Sequence, residues 1–116
     1  MSKSLVEDLR LILEESEFLT SLIIQKITWQ EFRNDSILLR AVTRSIDVIG
    51  AIISQMDSTD LQELHQINWE KLTKQREEVN RDYQLIDYEQ IWAFIHQEAA
   101  ELYAQVEKAL KDQVKS

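Results

Sequence analysis

An all-α fold is what this sequence predicts, and three observations predict it. The chain has no proline and one glycine, Gly50, so the turns that join hairpin strands lack their usual residues. Its apolar residues recur at gaps of three and four over long stretches, the period of a helix with one buried face. Residues of N-cap type stand before those stretches. At 116 residues and 44% hydrophobic content, residues 1–116 suffice for one domain with a modest core.

The first helix is predicted from Ser4 to about Gln25, where Leu5, Leu9, Ile12, Leu13, Leu19, Leu22 and Ile23 share one side. Glu7, Arg10, Glu14, Glu15 and Glu17 take the other, and the run Glu14, Glu15, Glu17 reads as a solvated face. Thr28-Trp29-Gln30-Glu31 has the form of a capping box, in which the Thr28 hydroxyl and the Glu31 carboxylate each satisfy an amide of the other's residue. A short helical turn through Phe32 follows. Asn34, Asp35 and Ser36 then offer an N-cap for a second long helix.

In that helix Ile37, Leu38, Ala41, Val42, Ile46, Val48, Ile49, Ile52, Ile53 and Met56 make a stripe too wide for a one-sided surface helix. It is expected to lie centrally, between neighbouring helices or against a second subunit. Gly50 inside it costs up to about 1 kcal/mol relative to alanine, a cost that a close helix crossing would explain. Asp57-Ser58-Thr59-Asp60 opens a short helix through Leu64, and Asn68 caps one of three turns. Asp87-Tyr88-Glu89-Gln90 opens the last helix, whose apolar face is Ile91, Trp92, Ile95, Ala99, Leu102, Val106, Ala109 and Leu110. Lys108 and Lys111 suit the negative end of its dipole. The result is a bundle of three long helices with short ones between them.

Composition narrows the function. Without cysteine there are no disulfides, thiolate nucleophiles or cysteine-based zinc sites. The start of the chain lacks a signal peptide's apolar core, and no apolar run approaches the ~20 residues of a membrane span, so the expected location is the cytoplasm. A net charge of −8 opposes general attraction to nucleic acid or an anionic membrane. Residues 68–83, with four basic and four acidic side chains, are the one locally neutral stretch of the four into which the chain divides.

Three strings in this order resemble the HepT-like branch of the HEPN superfamily: Arg44-Ser45-Ile46-Asp47-Val48-Ile49-Gly50, similar to R-A-I-E-I-I-G; Ile67-Asn68-Trp69-Glu70-Lys71-Leu72, similar to I-P-W-R-E-I; and Ile86-Asp87-Tyr88-Glu89-Gln90-Ile91-Trp92, similar to I-D-Y-E-I-V-W. The resemblance covers nearly the whole chain. It implies an antiparallel up-and-down bundle, a homodimer, and a minimal nucleotidyltransferase as partner in a toxin–antitoxin-type pair. Active relatives cleave RNA without a metal or other cofactor, in a cleft shared by two protomers.

The family's signature, R-N-x-x-x-H-x-Y, falls on Arg76-Glu77-Glu78-Val79-Asn80-Arg81-Asp82-Tyr83. Arg76 and Tyr83 match in register. Glu77 stands for the Asn, Arg81 for the His, and Ala51 for a Glu that often follows the helix glycine. Cleavage needs a base for the ribose 2′-hydroxyl proton near neutral pH and a cation for the charge that develops on phosphate. Histidine, at about 6.5, suits the first task; arginine stays protonated to beyond pH 12 and does not. Arg76 and Arg81 retain the means to clamp phosphate, while the neighbouring Glu77, Glu78 and Asp82 are placed to neutralise them. The favoured reading is a catalytically impaired HepT-like protein that dimerises and binds its partner. The alternative is an active ribonuclease using Arg76, Arg81 and Tyr83, with Glu77 or Asn80.

Tyr83 is also the position at which some family pairs carry AMP added by the partner; the plainer reading is a tyrosine that closes the motif helix with its ring packed. His65 and His96 read as surface or partly packed imidazoles rather than ligands. Trp29, Trp69 and Trp92 read as core or interface anchors.

Overall fold

A computed structural model describes residues 3–115. Helix α1 runs Lys3–Ile24, α2 Trp29–Asn34, α3 Ser36–Gln55, α4 Ser58–Glu63, α5 Trp69–Val79, α6 Tyr88–Phe94 and α7 Ala100–Lys115. The fold is all-α, and the long helices pack on one another. Helix α1 lies between α3 and α7, and α3 lies between α1 and α5. The core between them is made by Leu5, Leu9, Ile12 and Leu19 of α1, Val42, Ile46 and Ile49 of α3, and Leu102 and Val106 of α7. None of the described helices is long and apolar enough to cross a membrane.

The caps explain where the chain turns. Thr28 and Glu31 form the expected capping box, the Thr28 amide donating to Glu31 Oε1 at 2.9 Å and the Glu31 amide to Thr28 Oγ1 at 3.1 Å. Of the three candidates before α3 it is Asp35 that caps, its Oδ1 accepting from the amides of Ile37 and Leu38 at 3.1 Å. Asp57, Asn68 and Asp87 cap α4, α5 and α6. Helix α1 ends in a Schellman arrangement, with the Ile27 amide donating to the Leu22 carbonyl and the Lys26 amide to that of Ile23, both at 3.0 Å. Lys26 has φ of 59°, a left-handed conformation in a position where glycine is usual.

The last helical stretch departs from the expected regular helix. Between α6 and α7, Ile95–Ala99 forms a π turn. The wider turn holds one more residue than a regular one; Phe94 just before it and Ile95 and Ala99 within it are buried in the core, and the expected apolar face omits Phe94.

The wide stripe of α3 is buried along its centre, at Val42, Ile46, Ile49 and Ile53. Ala41, Val48 and Ile52 on one flank are only half-buried, and Ile37 at its start is 79% exposed. The three tryptophans are partly buried against the core. Trp69 Nε1 donates to the carbonyls of Leu61 and Leu64 at 3.1 Å, tying α4 to α5.

Candidate functional site

The motif residues sit at the end of α5 and in the connection to α6, and two carboxylates fix them. Arg76, on the last turn of α5, reaches to α3, where its Nε donates to Asp47 Oδ1 at 3.1 Å. The same oxygen accepts from Asn80 Nδ2 at 2.8 Å, and Asn80 Nδ2 also meets the Arg76 carbonyl at 2.8 Å. Asn80 is thus the C-cap of α5 and a clamp between α5 and α3. The Asn80 amide first, and the Arg76 guanidinium with it, hold the Asp47 carboxyl below its ordinary range against the opposing effect of partial burial.

Gly50 makes this arrangement sterically feasible. A Cβ at Gly50 would lie 2.5 Å from Cβ and Cδ of Arg76 and 2.7 Å from its Cγ, well inside van der Waals contact. The expected close crossing is therefore that of α3 and α5, and what fills the gap is the Arg76 stem.

Arg81 is held separately. Its Nη1 lies 3.1 Å from Glu78 Oε2, and that oxygen also accepts from the Asp87 backbone amide at 2.9 Å. Glu78 so pins the α5–α6 connection at both ends. The expected local neutralisation is corrected in its partners: Arg76 is paired across 29 residues with Asp47 rather than with Glu77 or Glu78, and Arg81 with Glu78 rather than Asp82.

Tyr83 is also corrected. It does not close α5 with a packed ring; it opens a 3-10 turn, Tyr83–Leu85, and is 78% exposed. Its neighbour Tyr88 is part-buried, and burial first, then proximity to Tyr83, raises the Tyr88 phenol above its ordinary range.

Arg81 and Tyr83 line an open cleft of about 860 Å³; Arg76 is not among its lining residues. Two further arginines are, Arg33 of α2 and Arg40 of α3, and no carboxylate or histidine is. Position follows from packing. Phe32, fully buried, stacks on Trp92 with ring centroids 4.7 Å apart and meets Tyr88 edge-on at 6.5 Å, which anchors α2 against α6 and sets the adjacent Arg33 at the cleft. The sequence reading missed Arg33 and Arg40. A signal for one was present: residues 36–46 hold Arg40 and Arg44 with no acidic residue, a fact hidden when charge is counted over longer stretches.

Both histidines lie away from this cleft. His96 is in the π turn, its ring 4.4 Å from Trp92 and its Nδ1 2.9 Å from the Trp92 carbonyl, and His65 is exposed beside Trp69 at another surface hollow. Among the described residues no group of three His, Asp or Glu side chains is placed to hold a metal ion.

Residues 12–109 match the family described as Ribonuclease HepT-like. The chain belongs to the HepT-like family. Two relatives extend the likeness. A protein of Caldanaerobacter subterraneus subsp. tengcongensis named "Putative RNase TTE0752" is 29% identical over 100 residues, 86% of this chain and 88% of the relative. A Methanocaldococcus jannaschii protein named "Putative RNase MJ0127" is 27% identical over 86 residues, 74% of this chain and 71% of the relative. No solved structure matches the chain.

Proposed function

We infer that this HepT-like protein is impaired as a ribonuclease and acts as a dimer that binds a nucleotidyltransferase partner. The observation that carries the reading is the Arg81–Glu78 pair. At the position where the family signature has a histidine stands a side chain that stays protonated at any physiological pH, paired at 3.1 Å with a carboxylate that also ties down the backbone of Asp87. No histidine and no carboxylate lines the cleft.

Dimerisation is supported by the half-buried flank of α3. Ile37, Ala41, Val48 and Ile52 fall at spacings that place them within one narrow sector of the helix. Ser45, beside that sector, donates to the Glu15 carbonyl of α1 at 3.3 Å, and Leu11, one turn before Glu15, is 46% exposed. The two helices together present apolar surface that a second copy would cover. Partner binding is supported by family membership and by exposed Tyr83 and Leu85, the former being the residue onto which the family's AMP-acceptor role would map.

The second reading, an active ribonuclease using Arg76, Arg81 and Tyr83, is favoured by one observation: Arg81 and Tyr83 line the cleft together with Arg33 and Arg40 and no carboxylate, a surface suited to phosphate. Light scattering of the purified chain, and co-purification with a neighbouring nucleotidyltransferase from the native host, test the first reading. A monomer at micromolar concentration, or a nucleotidyltransferase that passes without retention, would contradict it.

A further inference from the structure

We propose that residues 80–87 are a movable wall of the cleft, a strap that opens from the end of α5, and that Glu78 is the clasp that holds it closed. The proposal concerns how the cleft opens. It does not rest on the dimer and partner reading above and stands if that reading fails.

The cleft has two unlike walls. On one side Arg33 and Arg40 stand on α2 and α3. Helix α2 is anchored by the buried ring of Phe32 stacked on Trp92, and α3 is packed between α1 and α5. On the other side Arg81, Tyr83 and Ile86 come from the connection. Every residue from Asn80 to Leu85 is exposed, so no buried side chain anchors that stretch. Segments with few apolar contacts and a solvated backbone open at lower free energy than the core around them.

What fastens the strap is polar. At its near end the Asn80 side chain donates to Asp47 Oδ1 at 2.8 Å. Farther along, both ties run to one atom, Glu78 Oε2, which lies 3.1 Å from Arg81 Nη1 and accepts from the Asp87 amide at 2.9 Å. Glu78 stands in the last turn of α5, where the helix dipole disfavours a carboxylate, and these two bonds offset that cost. Loss of the one carboxylate would free Arg81 and the Asp87 amide together.

The strength of the clasp suits a device that opens. Hydrogen bonds to a charged group exceed neutral ones, which defines a closed state. The Arg81 and Glu78 side chains are nevertheless 47% and 19% exposed, so solvent screens the pair. Asn80 and Asp87, the C-cap of α5 and the N-cap of α6, are the hinges, since residues at element ends absorb the backbone rotation of such movements. An open strap withdraws Arg81, Tyr83 and Ile86 from the lining and leaves a wider cleft bounded by α2, α3 and the facing ends of α5 and α6.

The test is amide hydrogen exchange of the full chain, followed residue by residue by NMR. The reporter is the Leu85 amide, which donates to the Asp82 carbonyl across the 3-10 turn. Its acceptor is not Glu78, so it registers opening rather than the loss of its own partner, and a lone turn does not persist in water once its ends are released. In the parent chain Leu85 should be protected, though less than Ile46 and Ile49 of α3. Glu78→Ala should speed Leu85 exchange by about tenfold or more. Arg81→Gln, a change at an exposed residue, should speed it by less, because the Asp87 tie remains. Glu70→Ala, which breaks an exposed ion pair with Lys74 on the same helix, should leave it unchanged. Leu85 exchange that is unaltered in Glu78→Ala and Arg81→Gln overturns the proposal, as does a parent Leu85 amide that exchanges as fast as in a free peptide. A rise at Leu85 matched by equal rises at Ile46 and Ile49 also overturns it, since the strap then opens only with the whole fold.

Discussion

Gly50 is the seat of Arg76: the space that a Cβ would occupy on α3 is filled by the Cβ, Cγ and Cδ of the arginine on α5. A glycine in a helix interior thus serves the motif directly, since the stem must pass Gly50 for the Arg76 Nε to reach Asp47 one turn earlier on α3.

Gly50→Ala should therefore destabilise the protein. Alanine is the better helix former by about 1 kcal/mol, but the contact at 2.5 Å involves Arg76 Cβ, which cannot move without its backbone. Overpacking of this kind costs about 1–3 kcal/mol, so after the helix-propensity gain the net loss should be up to about 2 kcal/mol in denaturant melts. Adding Arg76→Gly should remove most of the extra cost of the alanine, and the coupling in a double-mutant cycle measures it. Independent effects would refute the contact.

Asp47 gives the fold a pH dependence whose sign follows from its depressed carboxyl. The stabilisation it supplies is complete above the ordinary value of 3.8 and is lost as pH falls below that value through the lower folded one. Asp47→Asn should remove this part of the acid transition and lower stability at neutral pH by about 1 kcal/mol, a modest figure because the Arg76–Asp47 pair is about one-third exposed. Equal acid sensitivity in the variant and the parent would show that the carboxylate makes no such contribution.

Lys26 offers a stabilising substitution. Its φ of 59° costs a side-chain-bearing residue about 1–2 kcal/mol, part of which glycine gives back through its larger freedom in the unfolded chain. Lys26→Gly should raise stability by about 0.5–1 kcal/mol by thermal or denaturant melts. Lys26→Val, β-branched and worse suited to that region, should lower it.

These sites also mark how far the sequence was legible. Helix positions and their caps could be read because both depend on local signals: the Thr28–Glu31 box, Asp87 three residues before Gln90, and apolar spacing along α1. The meaning of Gly50 could be read as a close crossing, but the residue it admits could not, since Arg76 lies 26 positions away. Distance in sequence likewise hid the Asp47 partner of Arg76. The π turn was hidden because gaps of three and four do not reveal a single extra residue, whereas Phe94, three residues after Ile91, fits the helical period and was legible. Arg33 and Arg40 were overlooked because a cleft gathered from three elements has no sequence spacing of its own. Exposed Tyr83 was hidden for the same reason, since it stands in a 3-10 turn between the two ends that Glu78 holds, Arg81 and the Asp87 amide.

The central claim is that arginine in place of the motif histidine leaves the cleft without a base. Incubation of the purified chain with tRNA and mRNA, beside Arg76→Ala and the double variant Arg81→His with Glu77→Asn, tests it most directly. The account predicts intact RNA with the parent chain and cleavage with the double variant. Cleavage by the parent that disappears in Arg76→Ala would contradict it.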